Sequence, residues 1–340
     1  MQKGCHLFAA RAWPGRARGA THDVAHAARR RSFNAGVTLM EVVVVLSVMA
    51  MLAALLLPAV QRARETARAA HCRNNLKQVA LACDQFEIAN RVYPPGQMFG
   101  PFGRGPNSTA WSFLARILPQ VDQGTLYSQG GVPGKTLRDS GIAQAMIPLF
   151  LCPSDPSSWT GPRFDAGNMV EDDYPVGQTN YKGVSGANWG ADESQNLPPG
   201  ETGTLWQNIG TNGSYDGLDH GDGMFYRTDY LIKRARYQVT DGLSNSFMLG
   251  EDVPKYDIYC SWPYANNAYS TCAIPPNVKN QPDPRFWPNV QSFRSEHVGG
   301  LNFAFGDCSV RFINDQISLA VYRALSTIAG HEPVTADVAR

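Results

Sequence analysis

The sequence lacks the short motifs that mark many catalytic and cofactor sites. It contains neither the G-x-S-x-G turn of serine hydrolases nor the H-E-x-x-H pair of zinc proteases, and no phosphate-binding glycine loop precedes a predicted helix. No two cysteines have the C-x-x-C spacing of structural zinc sites. These absences argue against an enzyme, and they predict a chain that uses no cofactor and no metal ion.

Charged residues are scarce and unevenly placed. They make up 17% of the chain, which also contains 32 glycines and 23 prolines, so we expect a domain rich in turns. Residues 1–36 contain seven basic residues and one acidic residue, whereas the remainder contains 23 basic and 28 acidic residues. A nucleic-acid-binding domain would need positive charge on its fold. The pattern therefore predicts an N-terminal targeting segment and no nucleic-acid partner.

A long apolar run follows the basic segment. Ser47 is the only polar residue in residues 42–57, and a membrane span is predicted at about residues 37–60, which as a helix would cross a hydrocarbon core of about 30 Å. Three arginines at residues 29–31 precede the span, so the positive-inside rule places the N-terminus in the cytoplasm and the following domain outside the inner membrane. An ordinary secretory signal is the alternative, but its apolar core is usually about 7–15 residues long.

One carboxylate stands near the start of this run, where residues 36–41 read G-V-T-L-M-E. The segment resembles the prepilin processing site of type IV pilins and type II secretion pseudopilins. The resemblance implies that a prepilin peptidase cuts after Gly36 and methylates the new amine of Val37, a position usually held by Phe. It also implies that Glu41 neutralises this amine when the helices of sister subunits pack in a filament, since an unpaired charge in a membrane is costly.

A single helix is predicted from about Thr38 to Asn90. Pro58 lies within it, so we expect a kink there, because proline removes a helical hydrogen bond. The second half carries apolar residues at spacings of three and four, which predicts a stripe that packs on a domain. This stripe consists of Leu76, Val79, Ala80, Cys83 and Phe86. Further along, β-prone segments lie near residues 180–184, 223–226, 247–251 and 301–305.

The last strong pattern is a predicted β-hairpin at residues 297–313. Two alternating apolar runs meet at a Gly-Asp turn, which places Leu301, Phe303 and Phe305 on one face. The turn itself is open to two interpretations. A type I′ turn on residues 307–308 would force a positive φ on Cys308, whereas a type II′ turn on residues 306–307 would change which side chains face the core.

Several short motifs accompany the hairpin, at residues 72–78, 150–155, 240–245 and 250–251. Together they resemble a large family of pseudopilin-like envelope proteins, whose C-terminal signature is His, nine residues, then Asp-Gly. His297 and Asp307 stand at these signature positions, and Cys308 replaces the usual glycine.

Six cysteines remain once Cys5 leaves with the N-terminal segment. An even number in an oxidising compartment predicts three disulfides. The predicted pairs are Cys260 with Cys272, which are close in sequence, Cys72 with Cys152, which lie in two of the family motifs, and by elimination Cys83 with Cys308. A buried free thiol is the alternative for Cys83, which lies on an apolar helix face.

His297, Asp307 and Glu251 would form a carboxylate and imidazole cluster if the fold brought them together. A histidine beside a Gly-Gly turn more often has a structural hydrogen-bonding role, and this interpretation is favoured over catalysis or metal binding.

A second candidate site contains Asp216, Asp219 and Asp222, three carboxylates on a glycine-rich segment that are compatible with a Ca²⁺ ion. They lack the EF-hand spacing and its closing glutamate, so a solvated acidic turn is favoured.

We therefore expect an α+β protein with a cleaved leader at residues 1–36, a long kinked helix at 37–91, and one β-rich, pseudopilin-like domain at 92–340 on which that helix packs. The resemblance implies a structural subunit of a type II secretion or type IV pilus-type assembly. Its partners would be the prepilin peptidase, sister subunits and inner-membrane lipid. The alternative is a single-pass membrane-anchored extracytoplasmic binding protein that uses the prepilin-type leader only for sorting.

Overall fold

The computed structural model describes residues 38–169, 173–189, 217–280 and 283–332. Gly36 and Val37, the predicted processing site, lie outside the described residues, as does Asp216. The chain divides into two compact units, Met1–Leu57 and Pro58–Arg340. A long N-terminal helix and a mixed five-stranded sheet confirm the predicted α+β class.

Helix α1 spans Leu39–Asn90, in agreement with the predicted helix, and it begins with a capping box. The Thr38 N–H and hydroxyl each donate to Glu41 Oε2 at 2.9 Å, while the Glu41 N–H donates to Thr38 Oγ1 at 3.3 Å. Glu41 therefore has a local role at the helix start, which the pattern T-x-x-E before an apolar run also indicates. Pro58 lies inside α1, and the kink expected there remains a prediction.

The first part of α1, up to Leu57, is apolar and exposed. Large apolar side chains between Val42 and Leu57 are 42–70% exposed, and an 18-residue apolar window of α1 contains no buried residue. Within the described residues, α1 is the only helix that is long and apolar enough to cross a membrane, by length and composition. It can therefore serve as a membrane anchor.

The second part of α1 belongs to the unit that begins at Pro58. The predicted apolar stripe is confirmed there, because Leu76, Val79, Ala80 and Cys83 are fully buried. Phe86 is partly buried against the same apolar cluster. The second half of α1 is thus part of the core of this unit.

Short helices and turns connect the rest of the described chain. The short α-helices are α2 (Phe113–Arg116), α3 (Gly124–Gly130), α4 (Leu137–Ser140), α5 (Trp287–Val290) and α6 (Leu319–Ala324). Single 3₁₀ turns lie at Gly100–Phe102, Leu118–Val121, Pro148–Phe150, Pro156–Trp159, Arg236–Gln238 and Ala265–Asn267. Side chains cap two of these short α-helices, since Ser112 accepts from the Ala115 N–H at the start of α2 and Thr136 accepts from the Asp139 N–H at the start of α4.

The sheet contains β1 (Tyr181–Val184), β2 (Phe247–Glu251), β3 (Tyr269–Ser270), β4 (Gly300–Phe305) and β5 (Val310–Asn314). Its strand order is β3-β1-β2-β4-β5, with β1 and β3 parallel and the other neighbours antiparallel. Three of the predicted β-prone segments are strands. The fourth, residues 223–226, is a loop that reaches the end of β1, where the Phe225 N–H donates to the Val184 carbonyl at 3.1 Å.

Strands β4 and β5 form the predicted hairpin, but neither of the two turns considered from the sequence forms. The Cys308 N–H donates to the Phe305 carbonyl at 2.8 Å, and the Phe305 N–H donates to the Ser309 carbonyl at 2.9 Å. This is the pattern of a type I turn followed by one residue in the left-handed region. That residue is Cys308, with φ 61°, at the position where the family signature has glycine.

Both faces of β4 are buried, and they face different clusters. Leu301, Phe303 and Phe305 lie together in one apolar cluster, as predicted. Ala304 lies in the larger cluster that contains the buried residues of α1. Because side chains alternate along a strand, Asn302 shares the face of Ala304, and this arrangement turns a polar residue of β4 toward α1.

Candidate functional site

The disulfide Cys72–Cys152 joins α1 to the segment after the 3₁₀ turn Pro148–Phe150, and the predicted pair is confirmed. The two Cα atoms are 4.9 Å apart, and both residues are buried. Asn75, one turn further along α1, donates from Nδ2 to the Leu151 carbonyl at 3.0 Å. The motifs at residues 72–78 and 150–155 therefore meet in the folded domain.

The other four cysteines of the described part are free and buried, so the predicted Cys260–Cys272 and Cys83–Cys308 bonds are wrong. The Cys260 thiol donates to Asp252 Oδ2 at 3.4 Å, whereas Cys272 lies in a separate apolar cluster. Cys83 and Cys308 both fill the larger cluster, which confirms the alternative of a buried thiol at Cys83. Burial raises the pKa of all four thiols, so they are protonated and poorly nucleophilic.

His297 lies beside the disulfide, between two carboxylates. Its Nε2 is 3.8 Å from Cys152 Sγ and 3.5 Å from Glu251 Oε1, and its Nδ1 is 3.4 Å from Glu65 Oε1 on α1. The His297 side chain is 4% exposed and that of Glu251 is 2% exposed. The imidazole therefore connects α1, the end of β2 and the start of the hairpin.

Glu251, the last residue of β2, is held by Asn302 on the neighbouring strand β4. The Asn302 N–H donates to Glu251 Oε2 at 2.7 Å, and the Asn302 amide group lies 3.1–3.2 Å from both carboxylate oxygens. The predicted cluster of His297, Glu251 and Asp307 is thus only partly correct. Asp307 is exposed in the hairpin turn, where it accepts from the Ser309 N–H at 2.8 Å, because the β4 strand separates it from His297.

The charges around His297 favour its protonated form. Burial alone would lower the pKa of His297, but the carboxylates of Glu251 and Glu65 outweigh burial, and the pKa is raised. Burial would raise the pKa of Glu65, whereas Arg68, Ser154 and His297 lower it, and the net shift is downward. The raised pKa of His297 favours an imidazolium between two carboxylates, which would hold α1 against the sheet; the structural role favoured from the sequence stays a prediction.

An open cleft of about 320 Å³ lies next to His297. One wall is α1, and the other is the hairpin, where Val298 is 92% exposed and Phe312 is 43% exposed. The cleft is lined by Glu65, Thr66, Ala69, Ala70, Arg73, His297, Val298, Asn302 and Phe312. Its mixed polar and apolar lining would accept a small polar ligand or a peptide side chain.

A second buried charged group lies next to this site and was missed from the sequence. Lys182 on β1 places Nζ 2.9 Å from Asp252 Oδ2 and 2.7 Å from Asp257 Oδ2, and Arg294 Nη1 lies 3.0 Å from Asp252 Oδ1. All four side chains are 0% exposed. The one sequence signal is a lysine inside a short β-prone segment, because spacing along the chain says nothing about which acids it meets.

Within the residues that the structure describes, two groups of side chains bring ligand-type atoms within 4.8 Å of one another. The first consists of Cys72, Cys152, Glu251 and His297, but the disulfide consumes both thiolates, so only Glu251 and His297 could coordinate a metal. The second consists of Asp252, Asp257 and Cys260, and here the Lys182 ammonium already lies against both carboxylates.

The two described members of the Ca²⁺ candidate have protein partners. Asp219 forms an ion pair with Arg227 at 2.6 Å, and Asp222 accepts from the Ala187 N–H at 2.8 Å. Burial raises the pKa of Asp222, which weakens it as a cation ligand. Asp216 lies outside the described residues, so the full set is not assembled in the described part of the chain.

Comparison with known proteins gives a family for the domain. No curated protein and no solved structure matches the chain. A family model, SBP_bac_10, matches residues 61–320, which include the second part of α1, the whole sheet and the Cys72, Glu251 and His297 site. The chain belongs to this family, which is described as "Protein of unknown function (DUF1559)".

Proposed function

We propose that the chain is a pilin-like structural subunit that is cut after Gly36 and anchored in the inner membrane by α1. The domain that follows the anchor would lie outside this membrane. The observation that carries the proposal is the exposed apolar first part of α1. Burying one large apolar side chain gains roughly 1.5–3 kcal/mol relative to leaving it in water. The dozen exposed valine, leucine and methionine side chains of this segment therefore favour contact with lipid or with other helices.

The single carboxylate of this segment supports the same function. Glu41 lies in the first turn of α1 and is the fifth residue after the predicted cut. A new amine at Val37 would lie close to this carboxylate along the chain, and pairing the two groups between neighbouring subunits would offset the cost of placing either in a membrane. The capping box and this pairing are compatible, because a carboxylate accepts several hydrogen bonds.

The anchor and the domain core share one helix, which also suits a structural subunit. From Cys72 onward one face of α1 is buried in the domain, and the disulfide and the Glu65 contact to His297 attach α1 at two further points. A helix held in this way can transmit force between an assembly and the domain. On this proposal the chain is not an enzyme.

Processing is tested by the intact mass of the protein extracted from membranes. The expected product begins at Val37 and carries one methyl group on its amine, a mass increase of about 14 Da. A chain that begins at Met1 and lacks this methyl group would contradict the proposal.

Assembly is tested with two variants that separate the charge of Glu41 from its capping role. Glu41→Gln removes the charge but keeps a capping acceptor, since glutamine also occurs at this position of the box. Thr38→Ala removes the capping hydroxyl but keeps the charge. We expect Glu41→Gln to be cleaved but excluded from filaments, and Thr38→Ala to assemble.

Normal assembly of Glu41→Gln would instead favour the anchored binding protein. The cleft beside His297 is the observation that favours this second candidate. In that case Arg73→Ala, which alters the cleft wall, would change ligand capture without affecting membrane anchoring.

A further inference from the structure

Lys182, Asp252 and Asp257 place an amine against two carboxyl groups in a dry interior. Lys182 Nζ lies 2.7 Å from Asp257 Oδ2 and 2.9 Å from Asp252 Oδ2, and all three side chains are 0% exposed. The Lys182 ammonium also contacts Ser270 Oγ at 3.2 Å. An amine and a carboxyl group in direct contact, without water, are the reactants of an amide condensation.

The two carboxyl groups have different environments. Asp252 Oδ1 accepts from Arg294 at 3.0 Å and from the Val253 N–H at 2.8 Å. Asp257 Oδ1 accepts from the Tyr259 N–H at 2.7 Å. Burial would raise the pKa of Asp252, but Lys182 and Arg294 lower it, whereas burial raises the pKa of Asp257 to about 6. Asp252 therefore stays ionised, and Asp257 is the carboxyl that more readily holds a proton.

We propose that the Lys182 amine and the Asp257 carboxyl condense into an intramolecular amide bond, with Asp252 as the proton carrier. One proton of the ammonium moves to Asp257, and the neutral amine attacks Asp257 Cγ to form the C–N bond. Asp252 takes a second proton from the attacking nitrogen and delivers it to the leaving oxygen. The C–O bond breaks, one water leaves, and the amide nitrogen keeps the third proton, so the step needs no oxidant and no co-reactant.

The charges around Lys182 and Asp257 favour the amide product, but they oppose the first proton transfer. Condensation removes one positive and one negative charge from the interior and leaves Asp252 paired with Arg294, so no charge remains unpaired. The first proton transfer is uphill, because the neighbouring carboxylates outweigh burial and raise the pKa of Lys182. Placement offsets this barrier, since oriented intramolecular reactions reach effective molarities of about 10⁵–10⁸ M.

The amide would connect β1 to the loop that follows β2, across 75 residues of chain. The described part of the chain contains one disulfide, which holds α1 to the segment at residues 150–155. The amide would hold the sheet in the same covalent way, and no reductant would break it.

The test is the intact mass of the protein extracted from membranes, compared with the mass expected for the N-terminus that peptide mapping after denaturation identifies. We expect the wild type to be lighter by one water, about 18 Da, than its sequence and disulfide require. Trypsin should not cut after Lys182, and a branched peptide should join residues 182 and 257. The Lys182→Met variant should have the full mass that its sequence and disulfide require, with no loss of water. The Asp252→Asn variant should be a mixture of linked and unlinked chains.

A pair in the same domain serves as an internal control. Lys279 and Glu296 lie 3.2 Å apart but are 28% and 30% exposed, so they should remain unlinked. A wild-type mass without the loss of water overturns the proposal, and this measurement needs no variant to fold. A loss that persists in Lys182→Met, or that maps to another pair, overturns it as well.

Discussion

Removing the disulfide Cys72–Cys152 should strongly destabilise the domain. The bond closes a loop with a sequence separation of 80, for which the chain-entropy relation gives about 4.5 kcal/mol at 25 °C. For a domain of this size, about 2–4 °C of melting temperature per kcal/mol converts this to a fall of roughly 9–18 °C. We expect this shift in the double variant Cys72→Ala/Cys152→Ala.

The assay is thermal unfolding of the detergent-extracted protein, followed by near-ultraviolet circular dichroism with and without a reductant. Reduction should lower the melting temperature of the wild type toward that of the double variant and leave the variant unchanged. The matched control is Cys260→Ala/Cys272→Ala, which removes two buried thiols and no bond, and which should remain sensitive to the reductant. If the reductant leaves the melting temperature of the wild type unchanged, the assigned disulfide is refuted.

Variants at three further positions test the turn, the histidine and the packing of the sheet. Cys308→Gly should be about 1–2 kcal/mol more stable than Cys308→Ala in urea unfolding, because both lose the thiol but only glycine is unstrained at φ 61°; equal stabilities would contradict this reasoning. The raised pKa of His297 contributes stability that is fully present below its ordinary pKa of 6.5 and is lost as pH rises through the higher folded value. As pH rises through this range, the melting temperature should therefore fall less steeply for His297→Gln than for the wild type. Parallel curves of melting temperature against pH would exclude the ion pairs of His297 with Glu251 and Glu65. Gly250→Ala should cost about 1–3 kcal/mol, since an added Cβ would lie 2.5–2.8 Å from the rings of Phe293 and Phe303, and an unchanged urea midpoint would show that the rings can move.

The signature histidine and the buried glutamate have a common physical explanation. Glu251 ends a strand, Asn302 satisfies both its oxygens, and His297 offsets its charge while contacting Glu65 on α1. Residues from distant motifs therefore meet in one hydrogen-bonded junction beside the disulfide. The signature Asp307 has a separate role, since its side chain closes the hairpin turn.

Local patterns in the sequence determined the elements that depend on neighbouring residues. The 3.6-residue period and its stop at Asn90 predicted α1, and the alternation of apolar residues predicted the hairpin and the inward face of Leu301, Phe303 and Phe305. Residues 180–184 and 247–251 were predicted as β-prone segments from their residue types and the turns between them, and they form β1 and β2. These elements follow from the sequence because helix and strand periods are properties of consecutive residues.

The tertiary structure alone decided which distant side chains meet. Cys260 and Cys272 are close in sequence but lie in different surroundings and form no bond, so proximity along the chain gave the wrong pair, whereas the family motifs gave the correct pair Cys72–Cys152. Residues 223–226 have β-prone side chains and still form a loop. Likewise, no local pattern places Lys182 between two aspartates, because only the packing of β1 against the chain after β2 brings these charges together and excludes water from them.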